Sequence, residues 1–478
     1  MNWLNKHLSL KADLLVTLLN GVIVIGGVFA LNGLIARIHG LDILGEFLLI
    51  KRTLSAGVGI LLIGMNIALP NYLSRNYEKS YGDNVFILFL IVTIPMTILL
   101  IAGILWFNIK GFYSSHFWIY VLFSLGLSTQ FITYALYRGY MNMIGANIFQ
   151  LVGTAIIPIV VFTSVGTLNN GLFWIGCIVT IIMVFSFLFR NKGIHIAAIN
   201  FHQCKKIIIY GLERIPSFVA QFILLAGIPI FLAQKVNFES VAYFNSSLSL
   251  VRLSLIIVNP IGLVLLPRIS NKLASGSIEL VTNNLIILFK AGIIISLIGT
   301  TYIYLNASLI LKFWLGELGS EGVKILKSVI LALPFYAFSG LTRSPIDVIS
   351  KKGYNSIIYG IAAISMIIVI IVGGKFGYDL LNIALIGFLV SNIIAGFGSN
   401  YFVRKLYKIK LWDFELFRDI VISQLIMLII NQLFTFFYFS KFTHFLFTSV
   451  TYLIIGTIVF ILIKTGWVAE LKSKLNIF

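Results

Sequence analysis

The chain has 478 residues, of which 59% are apolar and 11% charged, with a mean hydropathy of +1.02. No soluble domain buries that much apolar surface, so the solvent for most of it must be lipid. A net charge of +19 would suggest nucleic acid in a soluble protein. Here cytoplasmic loops rich in Lys and Arg account for it, and nucleic acid is not expected as a partner.

The opening stretch MNWLNKHLSLKADLLVTLLNG runs into a long apolar segment without a small-residue cleavage site, so it reads as an uncleaved first span. Apolar runs between polar punctuation predict spans near 14–36, 44–69, 84–107, 117–137, 148–165 and 171–189. A second set follows near 207–234, 241–267, 283–309, 325–346, 355–374 and 381–402, and two more near 417–437 and 445–463 close the chain. This is an all-α integral membrane protein of about fourteen transmembrane helices. Pro95, Pro158, Pro216, Pro229, Pro260 and Pro334 fall within spans. They fit a transporter whose helices bend and slide, although Pro is common in membrane helices generally.

The stretch Glu239–Ser270 has an echo in Asp42–Arg75. Aligning Gly45 with Ala242 and Phe47 with Phe244 brings Pro70 onto Pro267 without a gap, an offset of 197 residues. That is too long for a solenoid unit and the right length for a duplicated membrane lobe. Loop charge sets the orientation. About 21 Lys and Arg, among them Arg75, Arg138, Lys205, Lys206 and Arg404, share the side of the N-terminus, against about 8 on the other. Both termini are therefore expected in the cytoplasm, which an even number of spans requires. The outer loops are short, against an enzyme acting on sugars outside the cell.

Lys51, Arg52, Arg214, Arg252 and Lys290 lie within or at the ends of spans. A cation at depth costs about 2.5–3.5 kcal/mol on insertion scales, so each needs a partner, a wet cavity or a route to the interface. Arg52 is about 12 Å inside its helix and shares a small, polar face with Ser55, Ala56, Gly59 and Asn66. In the second copy Asn245, Ser249, Arg252 and Asn259 also share one face. The two stripes occupy the same register, and a pseudo-two-fold axis between lobes would turn both to one central space. The functional reading is a cationic cavity for an anion such as phosphate, which the planar Arg fork suits. The alternative is that small polar faces pack helices together. Lys51 lies on an adjacent face and can snorkel outward, as can Lys290 near its cytoplasmic end. Arg214 follows Glu213 at the start of the seventh span, as a local charge pair, an interface anchor or an entry site for a phosphate head group. Asp13 and Asp347 read as helix-end residues, and no acid sits in mid-span to couple transport to a cation.

Trp106, Trp118, Trp174, Trp314 and Trp467 fall near predicted interfaces as an aromatic belt. Tyr134 and Tyr137 suit packing better than sugar stacking. Cys177 and Cys204 show no metal or redox spacing, the six histidines no ligand spacing, and no phosphate loop, nucleophile elbow or paired carboxylates appear.

The run YGLERIPSF (Tyr210–Phe218) and the segment NPIGLVLLPRIS (Asn259–Ser270) resemble the start of the second lobe in Wzx-type polysaccharide flippases. These belong to the multidrug/oligosaccharidyl-lipid/polysaccharide exporter superfamily. LILKFWLG (Leu309–Gly316), TRSPIDVISKKGYNS (Thr342–Ser356) and IARIHGLDILGEF (Ile35–Phe47) are similar to further stretches of that family. Glu213 departs from it, since relatives often carry proline there. The resemblance implies two pseudo-symmetric six-helix lobes, 1–200 and 201–410, with two additional transmembrane helices in 411–478. It implies alternating access that moves an undecaprenyl-pyrophosphate-linked oligosaccharide, for O-antigen, capsule or a similar glycan, to the outer leaflet of the bacterial inner membrane. The expected partners are that substrate, membrane lipids and other polysaccharide assembly proteins. No cofactor is expected, and coupling to a proton or sodium gradient is left open. The alternatives are a peptidoglycan-precursor flippase, a cation-coupled small-molecule exporter and, from a different class, a membrane glycan polymerase or ligase.

Overall fold

The architecture is that of a computed structural model, which describes residues 10–76, 80–194, 199–254, 278–316, 319–349, 353–436 and 450. Among the described residues every regular element is helical. Among the described residues ten helices are long and apolar enough to cross a membrane, eleven if one bent pair counts as a single span. In chain order the first are α1 (Leu10–His39), α2 (Leu41–Leu61), α3 (Met65–Asn76), α4 (Ser80–Leu88) and α5 (Ile94–Trp106). They are followed by α6 (Phe117–Gly139), α7 (Met143–Leu151), α8 (Ile157–Ser164), α9 (Leu168–Asn191) and α10 (Phe201–Leu212). Next come α11 (Ile215–Lys235), α12 (Phe238–Arg252), α13 (Ile278–Leu305), α14 (Ala307–Leu315) and α15 (Ser320–Ile330). The last four are α16 (Leu333–Ile349), α17 (Tyr354–Lys375), α18 (Leu380–Tyr407) and α19 (Phe414–Phe436). The predicted eighth span is described only as far as residue 254, and the fourteenth, apart from residue 450, lies outside the described residues.

The chain divides into two compact units, one of residues up to Ser246 with Tyr359–Gly387, the other of Ser247–Ile358 with Phe388 onward. In the first unit α6 packs along α9. Helices in lipid gain little from hydrophobic contrast and pack closely through small residues instead. A Cβ on Gly126 of α6 would stand 3.2 Å from the Gly176 carbonyl of α9, and one on Gly176 only 2.8 Å from the Phe123 amide nitrogen. The outer face of α1 exposes Leu15, Leu19, Val22 and Ile23, as a lipid-facing surface should. Trp106 and Trp118 are also exposed near span ends.

Two π turns interrupt this unit. Residues Phe89–Thr93 precede Pro95, and residues Val152–Ile156 precede Pro158. A proline cannot donate to the helix ladder and clashes with the carbonyl four residues back, so a widened turn ahead of it relieves both. The predicted span 44–69 is broken rather than continuous: α2 and the first part of α3 meet at 52°. The break falls at Ile63 and Gly64, both with positive φ, where Gly211 approaches closely. A Cβ on Gly211 would lie 1.6 Å from the Ile63 carbonyl oxygen. The predicted seventh span, 207–234, is likewise divided, with α10 ending before Arg214 and α11 crossing alone.

In the second unit α13 packs against α16 and α19. Phe289 meets Phe338 edge to face at 5.7 Å, and Tyr407 donates to the Pro345 carbonyl at 2.8 Å.

Candidate functional site

The predicted stripe on α2 meets α12. Gly45 lies so close to the start of α12 that a Cβ there would sit 1.9 Å from the Phe238 carbonyl oxygen. Two turns further on, Arg52 Nε donates to Asn245 Oδ1 at 3.3 Å. Both contacts join residues 193 positions apart, so the two helices run parallel and in register here. Asn245 is fully buried. Its Nδ2 donates back to the Val241 carbonyl at 3.2 Å, leaving Oδ1 as the acceptor for the guanidinium. Ser55 Oγ donates to the Arg52 carbonyl at 3.2 Å. One face of α12 then carries Asn245, Ser249 and Arg252 at helical spacing. Arg252 Nε is buried without a hydrogen-bond partner, as are Ser246 Oγ and Ser247 Oγ. Asn259 lies outside the described residues.

Lys51 is directed elsewhere. Successive helix residues point about 100° apart, and the Lys51 side chain lines a cavity within the first unit instead of joining Arg52 and Asn245. Asn66 sits beyond the bend, on α3, so it does not continue the Arg52 face of α2 as a single-helix stripe would. Its Oδ1 is buried without a hydrogen-bond partner. Arg214 turns back on its own chain: Nη1 donates to the Tyr210 carbonyl at 2.8 Å and the guanidinium carbon lies 3.6 Å from the Tyr210 ring centre. Glu213 beside it is exposed. Lys290 is buried and its Nζ reaches Asp413, which also caps α19 by accepting from the Leu416 amide at 2.8 Å.

Tyr137 is a packing residue, fully buried against Ala146, Tyr134 and Phe149, with its hydroxyl accepting from Ser186 Oγ at 3.0 Å. Two buried acids escaped the sequence reading. Asp83 accepts from Asn191 Nδ2 at 2.7 Å, and Asp419 accepts from both Nε and Nη2 of Arg418, at 3.1 and 2.9 Å. Asp83 stands in the first turn of α4 and Asp419 in the second turn of α19, near ends that read as ordinary span boundaries, and only their partners, one of them 108 residues away, reveal their burial. Asn245 also went without a role of its own. Its signal was the seven-residue interval to Arg252 on one face.

Chemically, the contact between α2 and the start of α12 supplies a guanidinium whose orientation is fixed by a buried amide. Such a surface recognises anionic, oxygen-rich groups. No family model and no curated protein matches the sequence. Solved structures do match in fold. The lipid II flippase MurJ in an inward closed conformation superposes with a TM-score of 0.71 at 16% identity, over 96% of this chain and 99% of that one. An inward-facing multidrug resistance MATE family transporter of the MOP superfamily gives 0.61 at 16% identity, over 82% and 94%. A MATE structure in complex with MaL6 gives 0.58 at 16% identity, over 85% and 98%. The chain is an all-α membrane protein whose fold is shared with these solved transporters.

Proposed function

We propose that the chain is a flippase that carries an undecaprenyl-pyrophosphate-linked oligosaccharide from the cytoplasmic to the outer leaflet of the bacterial inner membrane by alternating access. The observation that carries this reading is Arg52, a cation inside a membrane helix held through Nε by the buried Asn245. A membrane keeps a cation at depth where it serves a ligand or a conducting path. A pyrophosphate supplies the complementary anion, and the lipid tail stays in the bilayer while the head group passes. Arg252, with Ser249 on the face that bears Asn245, is assigned to the same head group, with Ser55, Asn66 and Asn259 as polar lining. Arg214, folded onto Tyr210, is assigned to head-group entry. In this reading residues 1–200 and 201–410 are the two lobes, 411–478 supply two additional helices, and both termini are cytoplasmic. The protein transports and does not transform its substrate.

A second reading, transport of a peptidoglycan precursor, is supported by the match over nearly the whole chain to a structure named as a lipid II flippase. The test is translocation in proteoliposomes. Purified protein is reconstituted with a lipid pyrophosphate bearing either a short labelled surface glycan or the labelled peptidoglycan precursor, and access of an external quencher or glycosidase is followed. Protein-dependent exchange of the first lipid supports the flippase, and exchange of the second alone selects the precursor reading. No exchange of either, with an imposed ion gradient, favours the exporter.

A further inference from the structure

Within the first unit, α2, α6, the π turn at Val152–Ile156, the start of α8 and α9 line a partly open cavity of about 40 Å³. Its walls are largely apolar, including Phe47, Phe123 and Val179, and among the described residues the single ionisable group lining it is Lys51, with no carboxylate. A cation in such surroundings either gives up its proton or takes a counter-charge. The Lys51 ammonium stands 5.4 Å from the centre of the Phe47 ring, and an aromatic face favours the charged form.

The polar side of the cavity is built by the π turn. Gln130 Nε2 spends its two hydrogens on the Gln150 carbonyl, at 3.2 Å, and on Thr154 Oγ1, at 2.8 Å. The Thr154 hydroxyl is thereby fixed as acceptor to Gln130, and its own hydrogen remains to donate. Gly153 keeps this arrangement possible, since a Cβ there would lie 2.7 Å from the Gln130 amide. The result is a cation and a hydroxyl donor on an apolar cavity. The volume suits one monoatomic anion or a few waters and is far below the several hundred Å³ of a pocket for a sugar or other larger ligand.

We infer that this cavity binds a single monovalent anion of halide size, held by the Lys51 ammonium and the Thr154 hydroxyl, as a site separate from the Arg52 stripe. Lys51 then has its counter-charge inside the unit, and the ion is a ligand distinct from the transported substrate.

The test is thermal unfolding of the purified full-length protein in nanodiscs, titrated with sodium chloride or sodium bromide at constant ionic strength. Sodium isethionate, whose anion is too large for the cavity, makes up the balance. A saturable rise in midpoint with either halide is expected, absent with isethionate alone. Lys51→Arg should retain the rise with an altered midpoint concentration, whereas Lys51→Met and Thr154→Val should lose it or shift it at least tenfold to higher halide. If the wild-type protein shows no halide-specific rise, the lysine is neutral or hydrated and the inference fails. It fails equally if Lys51→Met keeps the wild-type titration. Should Lys51→Met not fold, the wild-type series and Thr154→Val decide it.

Discussion

Lys51 and Arg52 are neighbours in sequence, yet the helix sends one to a cavity inside its unit and the other to Asn245 on α12. The stripe at Arg52 and Ser55 was legible because residues three and four apart share a face. Its partner was not, because the amide that holds Arg52 lies 193 residues away and periodicity carries no information on pairing. Arg52→Ala and Arg252→Ala should each abolish translocation in the proteoliposome assay while leaving membrane insertion intact, and normal transport in both variants would remove the cationic-path argument. Asn245→Leu should be milder. It deletes one hydrogen bond to a charged group, worth about 1.5–3 kcal/mol, so transport should fall about tenfold or more at limiting substrate while Arg52 keeps its charge. Glycine positions give a stability test at the same scale. Gly45→Ala must push α2 away from the Phe238 carbonyl, an overpacking cost of about 1–3 kcal/mol. Gly103→Ala meets open space and should be neutral or slightly stabilising. Unfolding midpoints followed by tryptophan fluorescence would separate the two.

At the scale of elements, apolar run length located the spans well, because length and hydropathy are what a bilayer selects. It missed the breaks. The bend after α2 needs Gly211 to come close to Ile63 and Gly64, a tertiary contact that no local window contains. The π turns were half-legible, since Pro95 and Pro158 announced a disturbance without revealing that the turn before each would widen. The attachment of α19 shows the same division. Lys290 stood out in the sequence, but nothing local marks Asp413, which both pairs with it and caps α19. Asp413→Asn keeps an oxygen for the cap and removes the charge, so it isolates the ion pair. It should destabilise the protein by about 1–3 kcal/mol, less than a fully buried pair would, because the Asp413 side chain is 42% exposed. Lys290→Met should recover part of that loss in the double variant by removing the stranded cation. Additive losses from the two single changes would instead mean that the residues act independently.

For the whole molecule, the net charge of +19 carries a directional prediction, because a bilayer sorts loops by Lys and Arg rather than by net charge. If the bias of about 21 to 8 fixes the orientation, Ser115 between α5 and α6 and Asn169 at the start of α9 face outward, while Lys192 and His202 face the cytoplasm. Single cysteines at these positions, in a background with Cys177 and Cys204 replaced, report the arrangement directly. A membrane-impermeant maleimide added to intact spheroplasts should label Ser115→Cys and Asn169→Cys. It should label Lys192→Cys and His202→Cys only after permeabilisation. Cys204 makes a useful internal standard before its replacement: it is buried beside Asn84, and burial pushes its thiol up. At neutral pH its reactive thiolate is therefore scarce, and labelling there should stay slow even after permeabilisation. The opposite labelling pattern would invert the chain. The basic loops would then face outward, and Arg214, on the same side as Lys192, could no longer receive a head group from the cytoplasm. The cationic stripe on α2 and α12 would survive that inversion, but the proposed direction of transport would not.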